Sequence, residues 1–332
     1  MTSTNRKDAA LISTDGDAAA ARWLLSPQAV RAQAHGIFAA AQRNELHHFS
    51  YDADKLALAA DYVTDTIRQN YPALVIPYHA RWRHFVVDGT DRWAANPLAN
   101  LDDPLERARI RIDLVVTSVL LDAGAGDTWR YRDRASHIEL TRSEGLAIAS
   151  LDAFLDGLFS ASSEHPARAD ASALAAIGDG ALATAFQVTD QNPLNGLSGR
   201  TALLNRLGHT LQNKPQFFAV TAPRIGNLAD YFVSLARDGT LPAAKILTTL
   251  LEAFEDIWPG RLELAGHNLG DTWHHPAAEG QGSANGHVPF HKLSQWLSYS
   301  LVEPLTELGL VITGPDELTG LAEYRNGGLM ID

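Results

Sequence analysis

The residues best suited to chemistry in this 332-residue sequence lie near its end, in two short segments. The stretch "PFHKLSQWLSYSLVEPL", residues 289–305, places Lys292 beside an apolar stripe with helical spacing. The closing stretch "LTGLAEYRNGGLMID", residues 318–332, contains Glu323 followed by a tyrosine and an arginine. A lysine beside buried surface can position a reacting group, and a carboxylate can stabilise positive charge or activate water. A solvated helix flank is the alternative interpretation of the lysine segment.

A second candidate is the stretch "PYHARWRHF", residues 77–85, which holds two histidines, two arginines and a tryptophan within nine positions. The fork of a guanidinium suits phosphate or carboxylate, and an indole ring offers a flat stacking surface. We therefore predict that His79, Arg81, Trp82 and Arg83 bind substrate. The alternative is a surface loop whose arginines neutralise an acidic protein.

A third candidate is "NPLNGLSGRTALLNRLGHTL", residues 192–211, in which Ser198 is predicted to cap a helix that Gly199 and Arg200 open. Free N–H groups at such a helix start attract anions, so Arg200 is a further substrate-binding candidate. The glycine spacing does not match a Walker loop, and ordinary turn chemistry explains the same residues equally well.

Histidines are frequent between residues 267 and 291, which suggests a metal site at first. Fixed ligand spacing such as H-E-x-x-H is missing, and many of these histidines fall in a glycine-rich stretch. We predict no metal and no cofactor, and we expect Asp271 and Trp273 to line a pocket. The residues of this cluster are His267, Asp271, His274, His275, His287 and His291.

The composition limits the class of protein. With 45% hydrophobic and 20% charged residues, the chain has the balance of an ordinary globular protein. The absence of cysteine excludes disulfides, thiolate nucleophiles and cysteine-ligated zinc, and a net charge of -12 disfavours nucleic-acid binding. No apolar run reaches the roughly 20 residues of a membrane span, and no signal core opens the chain. We expect a cytoplasmic protein that binds a small molecule and neither nucleic acid nor membrane.

The periodicity of apolar residues predicts a mostly α fold, with two helical lobes around a cleft and at most a few short strands. Residues 1–18 are predicted to be a disordered arm, and residues 19–332 a single helical catalytic domain. Short strands or extended segments are expected at residues 72–78 and 84–89, and surface loops at 160–171 and 274–289. The predicted helices span residues 26–41, 52–69, 106–124, 143–159, 198–211, 225–236, 242–258 and 289–308. In the second of these helices, the residues expected to face inward are Leu56, Leu58, Ala59, Tyr62, Val63 and Ile67.

The quoted motifs together resemble a known family. The stretches at residues 78–85, 192–208, 290–305 and 318–329 look like signatures of the uracil catabolism protein 4 family, a family of unknown function found in fungi and bacteria. The resemblance runs from about Ala20 to the end of the chain. It implies a role in uracil degradation through uridine monophosphate and a ribosyl-urea phosphate, with release of urea from ribose phosphate as the expected step. Members of the family usually continue past the equivalent of Asp332, so either a C-terminally shortened member or an incomplete sequence is expected.

A more distant resemblance bears on mechanism. The opening helix at residues 26–41, the motif "FHKLSQ" and the motif "LTGLAEYR" are similar to motifs of the queuosine-salvage nucleotide hydrolases, which are related to helix-hairpin-helix DNA glycosylases. In those enzymes the lysine and the aspartate of the last two motifs belong to the site of N-glycosidic cleavage, which implies the same for Lys292 and Glu323. A glutamate replaces the family's aspartate here, which leaves open whether it has the same role or reaches a smaller substrate.

The sequence thus predicts a glycosylase-like N-ribosyl hydrolase that converts ribosyl-urea 5-phosphate to urea and ribose 5-phosphate. Glu323, Lys292 and Asp271 are the predicted catalytic residues. A non-catalytic nucleotide-binding or regulatory protein of the uracil pathway and a histidine-based metal-dependent amidohydrolase are the alternatives. The predicted substrate-binding residues are His79, Arg81, Trp82, Arg83, Arg200, Trp273, His291, Gln295, Tyr324 and Arg325.

Overall fold

The computed structural model describes residues 16–280 and 282–330, without the side chains of residues 324–326. Residues 1–15, which hold most of the predicted disordered arm, lie outside the described residues, whereas residues 16–24 are helical. The α-helices that follow are α1 (Pro27–Gln42), α2 (Asp54–Asn70), α3 (Pro104–Leu120), α4 (Arg142–Leu155), α5 (Ala171–Ala176), α6 (Asp179–Ala185), α7 (Leu197–Asn213), α8 (Pro215–Phe218), α9 (Leu228–Leu235), α10 (Ala243–Ala253), α11 (Lys292–Glu307) and α12 (Tyr324–Leu329).

The strands are only two or three residues long, and those that the structure describes form small pairs and no closed sheet. All pairs are antiparallel except β5 with β10, which is parallel. The strands are β1 (Val86–Val87), β2 (Thr90–Asp91), β3 (Tyr131–Arg132), β4 (Glu139–Leu140), β5 (Thr240–Pro242), β6 (Glu263–Leu264), β7 (His267–Asn268), β8 (Thr272–His274), β9 (His287–Pro289) and β10 (Val311–Thr313). The predicted mostly α fold is therefore confirmed.

The chain divides into two compact units. The first contains Met1–Tyr78, Gly260–Gln295 and Asp316–Asp332, and the second contains His79–Pro259 and Trp296–Pro315. Among the described helices, none has the length and apolar character needed to cross a membrane. The predicted single catalytic domain, the cleft and the glycosylase-like arrangement stay predictions.

The second unit is built around α3, which is buried on nearly all sides. Asp103 caps this helix by accepting hydrogen bonds from the backbone N–H groups of Leu105 and Glu106, and Pro104 occupies its first turn. Every residue of α3 from Ile110 to Leu120 is buried, including Arg111 and Asp113, and α3 packs against α4, which is also buried along most of its length. Close packing of α7 on α5 requires Gly208, because a Cβ there would collide with the backbone of Ala175.

The first unit begins with α1, whose predicted start is confirmed. The Ser26 side chain accepts a hydrogen bond from the Ala29 N–H at 3.2 Å, and Pro27 occupies the first turn. One face of α1 packs against β9. A small apolar core in the same unit contains Ala21, Leu24, Leu269 and Ala284.

Helix α2 corrects one prediction. Its apolar residues were expected to face a core, yet none of its 17 residues, all of which the structure describes, is buried. Leu58 is 71% exposed and Tyr62 is 66% exposed. The predicted helix is present, but periodicity shows only which face is apolar and not whether another element covers it. The neighbouring stretch at residues 72–78 is exposed and forms no strand: it begins with a turn, and Leu74 adopts φ +57°.

The start of α7 corrects a second prediction. Gly196, with φ +72°, occupies the capping position instead of Ser198. The hydroxyl of Ser198 is hydrogen-bonded to the carboxylate of Asp179. A left-handed φ is readily adopted by glycine, which explains why the helix begins there. The residues predicted as a loop at 274–289 differ too, because their two ends pair as β8 and β9.

Candidate active site

The first turn of α11 is held in place by Asp271. One carboxylate oxygen, Oδ2, accepts a hydrogen bond from the backbone N–H of Lys292 at 3.1 Å. The backbone carbonyl of Asp271 accepts a second bond from the N–H of Phe290 at 2.9 Å. Between these residues, His291 adopts φ +46°, a left-handed conformation that is uncommon outside glycine. Asp271 therefore satisfies a free amide at the helix start and stabilises the turn that presents Lys292.

The lysine and the carboxylate predicted to act together are in contact. Lys292 Nζ lies 2.8 Å from Glu323 Oε2, although the two residues are 31 positions apart in the chain. The side chains are 39% and 24% exposed, so the pair is half-buried. A small molecule can therefore approach the pair from solvent.

The segment before Glu323 is fixed to the rest of its unit by two polar side chains, the buried Gln295 and the exposed Arg31. Gln295, which is fully buried, accepts hydrogen bonds through Oε1 from the N–H and the hydroxyl of Thr319, at 3.1 and 2.6 Å. Arg31 on α1 donates to the carbonyl of Leu318 at 2.7 Å. These bonds fix the position of the chain at Thr319, four residues before Glu323. They thereby bring the carboxylate of Glu323 to Lys292. Gln295, predicted to bind substrate, has a positioning contact here.

Two buried polar side chains of the first unit have atoms without hydrogen-bond partners in the described part of the chain. His291 is 1% exposed, and its Nε2 bonds to the carbonyl of Leu24 at 2.8 Å. Because a carbonyl only accepts, Nε2 carries the proton, which leaves Nδ1 as an acceptor with no partner. Burial lowers the pKa of His291. Gln33 on α1 is also 1% exposed, and neither atom of its amide is paired.

The tryptophan predicted to line this region is fixed at its edge. The indole Nε1 of Trp273 donates to Asp271 Oδ1 at 2.9 Å, and the guanidinium of Arg261 lies 4.6 Å from the ring centre. Trp273 is 49% exposed, so its face remains accessible to a ligand. Tyr324 and Arg325 open α12, and their side chains lie outside the described residues.

Several other predicted binding residues lie in the second unit and have structural contacts. Trp82 is 3% exposed and donates to the carbonyl of Ser300 at 2.8 Å. The exposed Arg83 makes two 2.7 Å hydrogen bonds to the carboxylate of Glu303. These contacts stabilise the packing of the segment against α11.

Arg200 is likewise engaged with backbone. It is buried and donates to the carbonyls of Leu121 at 3.0 Å, Ala123 at 2.9 Å and Asn195. Such bonds satisfy carbonyl groups that the end of α3 leaves unpaired. Arg200 therefore holds a helix end, and we do not include it in the proposed site.

Arg81, like Gln295, has no exposed surface. Its Nε donates to Ser118 Oγ at 2.6 Å, and its Nη1 lies 2.5 Å from Asp122 Oδ2. His79, in contrast, is exposed, and its ring lies 5.9 Å from that of Trp296. Trp296, His84 and Gln33 were missed by the sequence analysis. A glutamine three residues after Val30, within an apolar stripe, was the available signal for Gln33.

The histidines of residues 267–291 bond mainly to backbone. His274 and His287 lie 4.4 Å apart between ring centres, and their Nδ1 atoms contact the carbonyls of Gly286 and Asn285. Burial and the neighbouring His274 lower the pKa of His287. Within residues 16–280 and 282–330, no three His, Asp or Glu side chains are grouped as metal ligands would be.

Comparison with known proteins assigns the family. Residues 23–332 match the family described as "Protein of unknown function (DUF1688)", and the chain belongs to it. The chain is 39% identical over 320 residues to "Protein urg3" of Schizosaccharomyces pombe (strain 972), covering 93% of this chain and 75% of that protein. It is 36% identical over 336 residues to "Uracil catabolism protein 4" of Lachancea kluyveri, with the same coverage. No solved structure gives a significant match. The family predicted from the motifs is confirmed.

Proposed function

We propose that this protein acts in uracil catabolism as a hydrolase that cleaves the N-glycosyl bond of a phosphorylated ribosyl compound. The proposed substrate is ribosyl-urea 5-phosphate, and the products are urea and ribose 5-phosphate. The name of the Lachancea kluyveri relative supports the pathway. The ion pair between Lys292 and Glu323 is the observation that carries the chemistry, because it places a held carboxylate at an accessible position.

The reaction consumes one water. The water oxygen bonds to the anomeric carbon while the C1′–N bond breaks, and the electron pair of that bond goes to the urea nitrogen. Positive charge develops at the anomeric carbon in the transition state, and a nearby carboxylate stabilises it. Glu323 supplies that carboxylate and takes a proton from the attacking water, and the leaving urea nitrogen gains one proton in exchange.

In this proposal Lys292 and Asp271 position other groups and do not themselves react with the substrate. The ammonium of Lys292 orients the Glu323 carboxylate through their 2.8 Å contact. Asp271 holds the backbone of Lys292, and both of its carboxylate oxygens already accept hydrogen bonds. Correct geometry contributes to rate because the reacting groups need not be ordered during the reaction.

The experiment is to incubate the purified protein with ribosyl-urea 5-phosphate and to measure released urea. The Glu323→Gln variant keeps the shape of the side chain but loses its charge, so we expect urea release to fall about 100-fold or more. Glu317→Gln is the matched control, because it removes a carboxylate that is exposed in the same segment. That control should retain activity within about twofold.

Two outcomes would contradict the proposal. Urea release by the wild-type protein no faster than by Glu323→Gln would mean that the carboxylate is not catalytic for this substrate. Equal losses in Glu323→Gln and Glu317→Gln would mean that the segment tolerates no charge change and that the ion pair has no special role.

A further inference from the structure

Four side chains of the second unit form a compact group, which we call the Trp296 cluster: His79, Arg81, His84 and Trp296. The ring centre of Trp296 lies 5.9 Å from that of His79 and 5.8 Å from that of His84. The two histidine rings are themselves 5.8 Å apart. The guanidinium carbon of Arg81 lies 5.5 Å from the Trp296 ring centre. All four side chains are thus within reach of one small ligand.

The four side chains of the cluster differ in how much of their surface is exposed to solvent. His79 is exposed, His84 is half-buried, Trp296 is 9% exposed and Arg81 is completely buried. Solvent therefore reaches one end of the cluster, and the other end lies in the interior. This gradient is typical of a binding site whose specific polar groups are shielded from water.

Three polar atoms of the cluster are buried and have no hydrogen-bond partner among the described residues: Arg81 Nη2, His84 Nδ1 and Trp296 Nε1. Buried polar groups in native proteins are nearly always paired, so three unpaired atoms on neighbouring side chains call for a common explanation. Other buried tryptophans follow the rule, since Trp82 and Trp129 donate to the carbonyls of Ser300 and Phe186.

The electrostatics of the cluster favour a neutral ligand. The charge of Arg81 is balanced by Asp122 at 2.5 Å, and its Nε is bonded to Ser118. Burial and the positive charge of Arg81 lower the pKa of His84 to about 4, so its imidazole is neutral at pH 7. N–H donors without net positive charge suit a carbonyl oxygen better than an anion, whose burial requires a compensating charge.

We propose that the Trp296 cluster binds a small, neutral, planar compound containing an N–C(=O)–N group. The N–H groups of Arg81 Nη2 and Trp296 Nε1 donate to carbonyl oxygen, and His84 Nδ1 accepts from an N–H of the ligand. Urea and uracil both contain this group and serve as probes. The inference concerns binding by the second unit and does not depend on the hydrolase activity.

The test is isothermal titration calorimetry of the full-length protein with uracil and, below denaturing concentrations, with urea. Trp296→Phe keeps an aromatic ring and removes the unpaired N–H together with part of the indole, so we expect it to fold and to weaken binding about tenfold. Trp129→Phe is the matched control, because the N–H that it removes already bonds to Phe186. It should lower the denaturation midpoint and leave ligand affinity unchanged.

A second arm titrates inorganic phosphate and acetate under the same conditions. Binding of uracil or urea that depends on Trp296, with no such binding of the anions, supports the proposal. Anion binding that Trp296→Phe weakens would overturn the neutral class of ligand. In a further outcome the wild type binds neither uracil nor urea, while Trp296→Phe has a raised denaturation midpoint. This result would show that only water solvates the N–H of Trp296, and it would also overturn the proposal. Turnover is not measured, so failure here leaves the hydrolase test untouched.

Discussion

Each unit of the protein contains a short ion pair with at least one partner in the quoted sequence motifs, and the two pairs differ in their surroundings. In the first unit, Lys292 and Glu323 are 2.8 Å apart with side chains 39% and 24% exposed. In the second, Arg81 and Asp122 are 2.5 Å apart with side chains 0% and 10% exposed. The N···O distances of the two ion pairs are similar, so the pairs differ in the burial of their side chains and not in the distance between their charges.

Burial decides how much each ion pair contributes to the stability of the fold. Two charges removed from water are costly unless they remain together, so loss of one partner from a buried pair leaves an uncompensated charge in the interior. An exposed pair gains little from its contact, because water and salt screen the charges. Arg81 and Asp122 therefore matter for stability, whereas Lys292 and Glu323 are better explained by chemistry.

Removing the buried carboxylate should have the largest effect on stability. We expect Asp122→Ala to lower the free energy of unfolding by about 3–5 kcal/mol, because it leaves the Arg81 guanidinium unpaired. Chemical denaturation followed by circular dichroism measures the change. Asp256→Ala is the control, since its ion pair with Lys214 has a carboxylate side chain that is 59% exposed. Equal losses of unfolding free energy in the two variants would mean that buried and exposed ion pairs contribute equally to stability, which contradicts the prediction.

The pH dependence of stability should report on His84 in the second unit. Because its pKa is about 4 in the folded protein and 6.5 in the unfolded chain, the unfolded state binds more protons between these values. The stabilising contribution is complete above pH 6.5 and is lost as pH falls towards 4, by about 3 kcal/mol. The charged or titratable neighbours of His84 are Arg81, Asp122, Glu144 and His79.

The variant His84→Phe removes the titrating group and should flatten the profile over this range. Denaturation curves at closely spaced pH values between 4 and 6.5 would measure how steeply the free energy of unfolding changes with pH in the variant and in the wild type. A slope in the variant as steep as that of the wild type would assign the pH dependence to another residue.

Removing the ammonium of the half-buried pair should have the smallest effect on stability. We expect Lys292→Met to change the free energy of unfolding by less than about 1 kcal/mol. Urea release should nevertheless fall about 10- to 100-fold, because Glu323 is no longer oriented. Partial recovery of activity in Lys292→Arg would support positioning. A large loss of stability in Lys292→Met would place this pair in the same class as Arg81 and Asp122.

Local sequence signals predicted much of the helical framework. The serine and proline that start α1 and the apolar periodicity of α11 act within a few residues, and both helices are present. The contact between Lys292 and Glu323 was predicted from motifs that resemble a family and not from spacing, since no local rule joins residues 31 positions apart.

Contacts that depend on tertiary packing could not be predicted. The partners of Arg81 are Ser118 and Asp122, 37 and 41 positions away, and they give a predicted ligand-binding arginine a buried ion pair. Trp296 looked like an ordinary residue of an apolar helix stripe, because a sequence does not show whether an indole N–H finds a partner. Ser198 was assigned as a cap from its residue type, but Gly196 adopts the φ that the chain needs there.

The uncovered apolar residues of α2 and the stretch after it determine how the purified protein behaves in concentrated solution. Leu58 and Val75, at 71% and 78% exposure, present hydrocarbon to water where other molecules can meet it. We expect self-association and adsorption to hydrophobic resins, and we expect both to become stronger in the salts used for precipitation. Charged residues at these two positions would reduce both effects without opening a cavity in the interior.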